Sequence, residues 1–195
     1  MVNNSEQIRE MLSFVDKDDF YFLQIFKRRK DNPDLGKDQI VIDNFYIDSL
    51  EDYDRKIPQI ITLCDAENAR AYIRVNKRNY NHLAKHMLKR VVDIVFTENC
   101  RSLRNAFDSV AGEFHSDPDK KWIVDLDCVN NEYKNEVVLY LKDLQYEANR
   151  EPLLILVPTK NGEHVITRPF NLQVFKSWHP EIDVHRDNPT LLYCP

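Results

Sequence analysis

The chain has 195 residues, 43% hydrophobic and 30% charged, with a net charge of −5 at neutral pH. That length holds one sizeable core, built from one or two lobes, and is short for two roomy domains; the composition excludes a disordered chain. No run reaches the roughly 18 uncharged apolar residues of a membrane helix.

MVNNSEQIRE has neither the basic leader nor the apolar stretch of a signal peptide. Its sequel, SEQIREMLSFV, reads as a short helix capped by Ser5. FYFLQIFKRR and IVIDNFYI are aromatic and β-branched strands separated by the turn-forming DNPDLGKDQ. SLEDYDRKIPQIITLCD has helical character that Pro58 is expected to break into short pieces. ARAYIRVNK reads as a strand. NYNHLAKHMLKRVVDIVF reads as an amphipathic helix with Leu83, Met87, Val91 and Val95 on one face. CRSLRNAFDSVAGEF predicts a second helix, ended near Gly112. The strand KWIVDLD follows, then a helix over roughly 133–149 with Val137, Val138, Leu141, Leu144 and Ala148, then the apolar strand LLILVP. GEHVITRPFN and EIDVHRDNPTLLY read as short strands joined by a WHP loop. Alternating strands and helices imply an α+β (mixed α/β) fold with a mixed sheet flanked by helices.

The four cysteines, at 64, 100, 128 and 194, never form C-x-x-C. This argues against a structural zinc site and suits free thiols in a reducing cytoplasm. Three glycines cannot build a Gly-rich phosphate loop of either common type. Charge is unevenly spread: between Arg70 and Arg104 stand nine Lys/Arg (70, 74, 77, 78, 85, 89, 90, 101, 104) against two acids (93, 98). Lys27-Arg28-Arg29-Lys30 forms a second basic block. These stretches are either solvated faces or a surface for phosphates, with Tyr72 and Tyr80 available for stacking.

KWIVDLD places Asp125 and Asp127 on one face of a strand end, because side chains at i and i+2 point the same way. Two like charges side by side repel, so they hang in water or share a cation. Alone, D-x-D is as well explained by a turn or a solvated edge. Further on, Asn161-Gly162 can form a tight turn opening a strand at Glu163-His164-Val165-Ile166-Thr167. If that strand neighbours KWIVDLD, His164 reaches the same sheet end as the two acids. Ile182-Asp183-Val184 offers a third acid, with Asp187 as its rival.

Ile123-Val124-Asp125-Leu126-Asp127, Thr159-Lys160-Asn161-Gly162-Glu163-His164 and Ile182-Asp183-Val184 together resemble the motifs of the catalytic core of archaeo-eukaryotic primases and primase-polymerases. That superfamily includes the polymerase domain of bacterial end-joining ligases. The likeness covers residues 70 to 190 loosely and the three motifs closely. It implies a single compact domain over 1–195, with an N-terminal α/β lobe of about 1–69 and a motif-bearing lobe of about 70–195. The implied activity is metal-dependent nucleotidyl transfer from a nucleoside triphosphate to a nucleic-acid 3′ hydroxyl. Asp125, Asp127 and Asp183 would hold Mg2+ or Mn2+, hard cations that prefer carboxylate oxygen. His164 would contact nucleotide phosphates, with Lys160 and Arg168 beside it. Arg70, Arg74, Lys77, Arg78, Lys85 and Lys89 would hold nucleic acid, and a helicase or other replication protein would be the partner. The chain departs from the family in having no cysteine-rich zinc element and no helical domain after the third motif.

Other readings fit less well. His82 and His86 have zinc-compatible spacing without the Glu of H-E-x-x-H. Cys128, beside the D-x-D, has no histidine pairing that would make it a nucleophile. Nucleotide-sugar glycosyltransferases share D-x-D but give His164 no role. A metal-dependent nuclease could combine Asp125 or Asp127 with Glu136 and Lys142, or with the His185 segment. A non-catalytic nucleic-acid-binding protein would need only the basic stretch.

Overall fold

The computed structural model describes residues 1–115, 117–127, 129–147 and 151–195. Ten strands and six helices follow one another along it. The α+β class is as expected, and every described strand pairing is antiparallel, the strands dividing between two sheets.

The first sheet is built on β2 (Asp19–Arg28), which carries β3 (Gln39–Ile47) on one side and β4 (Arg70–Arg74) on the other. β10 (Pro189–Cys194) pairs with β4, β1 (Val2–Asn3) pairs with β10, and the short β5 (Arg78–Asn79) adds to β2. Residues 19–23 are buried without a break, as a strand covered on both faces requires. On one face, Leu23, Ile25, Ala71, Ile73 and Leu192 share a core with Ile8 of α1 (Ser5–Met11) and with Tyr53, Ile60 and Cys64 of α2 (Leu50–Glu67). On the other, Phe20 and Phe22 pack under Leu83 of α3 (Tyr80–Phe96) and under Val110 and Ala111 of α4 (Ala106–Glu113).

The second sheet runs β7-β8-β6-β9, from β7 (Leu154–Pro158) through β8 (Glu163–Thr167) and β6 (Trp122–Asp125) to β9 (Asp183–His185). Val124, Leu126 and Val165 face α5 (Asn131–Glu147) and α6 (Leu172–Trp178) through Val137, Leu141 and Phe175. The opposite face contributes Ile123, Val157 and Ile166 to the core of the first sheet. Asn4 ties the two sheets together, its side-chain amide donating to the Pro158 and Leu191 carbonyls at 2.8 and 2.9 Å.

Several expectations change. α2 is one helix with Pro58 inside it. Proline there removes a single N–H, and burial of Tyr53, Ile60 and Cys64 holds the helix together across the gap. Ser5 lies inside α1, with Asn4 in the cap position. CRSLRN is a 3₁₀ turn (Cys100–Asn105) ahead of α4. LQVFKSW is a helix that the loop reading missed, capped by Asn171 accepting from the Val174 N–H. Arg70–Arg74, beyond the expected lobe boundary near residue 69, is a central strand of the first sheet, and the chain's last strand returns to that sheet. Ala148 and Cys128 lie outside the described residues. Cys64, Cys100 and Cys194 are free thiols. No helix among the described residues is long and apolar enough to cross a membrane.

Candidate metal centre and cationic cleft

β6 is paired on both sides, and its register fixes the site. Asp125 stands opposite His164 of β8 and opposite Asp183 of β9. Residues opposite one another in an antiparallel pair share a face, so all three side chains leave the sheet on one side. One ligand atom each from Asp125, Asp127 and His164 lie within 4.8 Å of one another. Asp183 is a backbone neighbour of Asp125 but stands outside that group. It is exposed and lines a groove on the other side of the carboxylates, with Val129, Asn130, Tyr133 and Glu181.

Local hydrogen bonds hold the acids. The Asp127 N–H donates to Asp125 Oδ1 at 2.9 Å, and the Thr159 hydroxyl donates to Asp127 Oδ1. The β7–β8 turn lies against the D-x-D backbone: the Leu126 N–H donates to the Glu163 carbonyl at 2.9 Å, and the Thr159 N–H to the Gly162 carbonyl at 2.9 Å. A Cβ on Gly162 would meet the Leu126 carbonyl oxygen at 2.5 Å and Asp127 Cα at 2.7 Å. His164 is held from the first sheet, its Nδ1 lying 3.0 Å from Oγ1 of the fully buried Thr190. That contact leaves Nε2 as the nitrogen free to face the carboxylates. Burial lowers the pKa of His164, against the raising influence of Asp125 and Asp127, and His185 lowers it further. The net shift favours the neutral imidazole. With Nδ1–H turned to Thr190, Nε2 presents a lone pair to a cation; in the other tautomer it presents an N–H to a phosphate oxygen.

Across from the acids is a cationic wall. The face of β2 that carries Phe20 and Phe22 under the helices continues as Gln24, Phe26 and Arg28, and β4 sets Arg70, Tyr72 and Arg74 beside them. These side chains, with Lys30, Lys160, Asp125, Asp127, His164 and His185, line one cleft of about 460 Å³. The volume suits a small-molecule ligand. Asp31 sits at the wall, accepting from Arg70 at 2.7 and 2.8 Å and from Lys160 at 2.7 Å. The Arg70 hydrogen bonds outweigh burial and hold the Asp31 pKa down to about 2. Burial disfavours the charge on Arg74, partly offset by Asp187, and its buried Nε has no hydrogen-bond partner among the described residues.

The other expected binding residues scatter. Lys77 is buried in an ion pair with Asp19 at 2.9 Å. Arg78 is fully buried, donating to Asp187 at 2.7 Å and to the Ala111 carbonyl at 2.8 Å. Both hold the fold together and are unavailable to nucleic acid. Asp187 is thereby committed to Arg78 and Asn76 and is no rival to Asp183. Arg168 follows the far end of β8 from His164 and bonds Asp119 and the Glu151 carbonyl, outside the cleft. Lys85 and Lys89 are exposed on α3 and do not line the cleft. Tyr72 lines it, whereas Tyr80 stacks on Phe20 with ring centroids 4.3 Å apart. His82 and His86 face each other, Nε2 to Nε2 at 3.2 Å, away from the cleft. Residues that sequence reasoning passed over are Asp31, Gln24, Thr190 and the roles of Arg28 and His185. For Gln24 and Arg28 the signal lay in the period of two, since Gln24-x-Phe26-x-Arg28 and Arg70-x-Tyr72-x-Arg74 each mark one strand face; Asp31, in the β2–β3 connection, and Thr190 carried none.

Comparison of the chain with family models, curated proteins and solved structures finds no match.

Proposed function

We propose that the cleft binds a nucleoside triphosphate with divalent cations and transfers its nucleotidyl group to a nucleic-acid 3′ hydroxyl. One observation carries this reading: a compact pair of carboxylates with an imidazole faces a wall of Arg28, Lys30, Arg70, Arg74 and Lys160 across a single cleft. Acids alone would hold a metal, and cations alone would hold an anion. Facing each other, they suit a metal–polyphosphate, whose cation and oxygens need both. The donor set fits magnesium or manganese, since Asp125 and Asp127 offer hard oxygens and leave coordination positions open. When bound, such ions neutralise the triphosphate and lower the pKa of an attacking hydroxyl. Asp183, next to Asp125 and facing the adjoining groove, is the carboxylate to which a 3′ hydroxyl would come closest. Arg28 and Lys30 would meet phosphate oxygens directly, while Arg70, whose fork is held by Asp31, and Arg74, bonded to the Asp187 carbonyl, would add positive potential behind them. Tyr72 and Phe26 offer apolar surface to the base.

A labelled primer–template incubated with nucleotides and Mn2+ is expected to lengthen. Changing Asp125 and Asp127 to Ala should abolish extension, by at least about 1,000-fold on the scale of lost charge stabilisation, and leave nucleic-acid affinity in place. Shortening of the primer would replace the reading with a nuclease. Salt-sensitive binding with no reaction would leave a binding protein.

A further inference from the structure

We infer that the outer face of α3 docks an acidic amphipathic helix of a partner protein. The inner face of this helix is settled: Leu83 is buried, with Met87 beside it, on Phe20, Phe22 and α4. The outer face is apolar too. Leu88 is 69% exposed, Val92 44%, Val95 56% and Phe96 84%, and Leu103 in the following 3₁₀ turn is 45% exposed. Spacings of four, seven and eight residues put the four α3 side chains within about 100° of arc, opposite the buried stripe. A helix apolar on both sides is ordinarily covered on both sides. Other large exposed hydrophobic residues of the described chain stand singly or as pairs, at Ile40 and Val41 and at Val174 and Trp178 on α6. Only here do five fall within sixteen positions.

Charge selects the occupant. Lys85 and Lys89 flank the stripe, and Arg101 and Arg104 are exposed in the 3₁₀ turn beyond it. Among the described residues no acid forms an ion pair with any of these four, whereas neighbouring Arg90 is bound to Glu113. The local acids are Asp93 and Glu98 alone. A second copy packed face to face would set this cationic rim against itself. Nucleic acid would match the lysines and arginines but leave the leucine, valines and phenylalanine without apolar partners. An amphipathic helix with Leu or Val at three- and four-residue spacing and Glu or Asp along its borders satisfies both sets. From Leu88 to Phe96 the stripe runs about 12 Å, so three to four turns of partner helix would cover it together with its charged ends. This surface is separate from the cleft and does not depend on the proposed chemistry.

The test uses the full chain and two fluorescein-labelled 14-residue peptides, read by anisotropy. Both carry Leu at helical three- and four-residue spacing; one has Glu at its polar positions, the other Lys. The Glu peptide is expected to bind, to weaken tenfold or more in Leu88→Asp and in Phe96→Asp, and to weaken as salt is raised. These exposed substitutions should leave the melting temperature unchanged. Equal binding of the Lys peptide, indifference to both substitutions, or no binding of the Glu peptide would overturn the inference. So would a dimer in sedimentation equilibrium that Phe96→Asp dissociates, because the face would then belong to a second copy.

Discussion

Gly162 sets how closely the β7–β8 turn approaches the carboxylates. A methyl group there would stand 2.5 Å from the Leu126 carbonyl oxygen and 2.7 Å from Asp127 Cα, both backbone atoms that cannot swing aside. Gly162→Ala is expected to cost about 1–3 kcal/mol of stability. Activity measured where the variant is fully folded should fall further, because the backbone that must move carries Asp127. Unchanged melting and unchanged activity would mean the turn does not rest on the D-x-D. At this scale the sequence was readable where strand period and register suffice. Asp125, Asp127 and His164 were placed together because a period of two and a tight turn determine where such side chains go. Lys77 and Arg78 were misread because counting charge does not show which cations meet a buried acid; the acid for Arg78 lies 109 positions away. Arg168 failed for a simpler reason, since four residues along a strand lead from one end of a sheet to the other.

Asp31 joins two elements that the chain order keeps far apart: the connection between β2 and β3, and the turn between β7 and β8. It does so through Arg70 and Lys160, with its own side chain only 9% exposed. Its folded pKa of about 2 lies below the ordinary carboxylate value. The bridge therefore contributes fully above about pH 4 and is lost as pH falls toward 2. The contribution is about 2 kcal/mol. Comparing urea unfolding of the protein and Asp31→Asn should show a stability difference that shrinks by this amount between pH 5 and pH 2. A difference constant with pH would remove Asp31 from the account. Elements were legible where hydrophobic period was strong, as in β2, β3 and α5. α2 was broken on paper by Pro58, although tertiary burial carries a helix across one missing N–H. On α3 the four-residue spacing through Val95 drifts off the buried face, since a helix turns every 3.6 residues, and Ile94 takes the inward place.

The whole molecule places opposite charges on two sheets and brings them face to face. The second sheet ends in Asp125, Asp127 and His164; the first presents Arg28, Arg70 and Arg74. Neither half is a site by itself. That opposition was not legible in the sequence, because it depends on β10 returning from the second sheet to pair with β4, setting Thr190 against His164. The α+β class was legible; the split into two antiparallel sheets was not, since alternation of strands and helices leaves strand direction open. The central claim is that Asp125 and Asp127 hold a divalent cation within reach of this cationic wall. It is tested most directly by titrating Mn2+ into the protein, with and without inorganic triphosphate, and following the free ion by electron paramagnetic resonance. The account predicts saturable Mn2+ binding that triphosphate tightens and that Asp125→Ala with Asp127→Ala abolishes. Mn2+ binding that is absent, or that survives the double substitution unchanged, would contradict it.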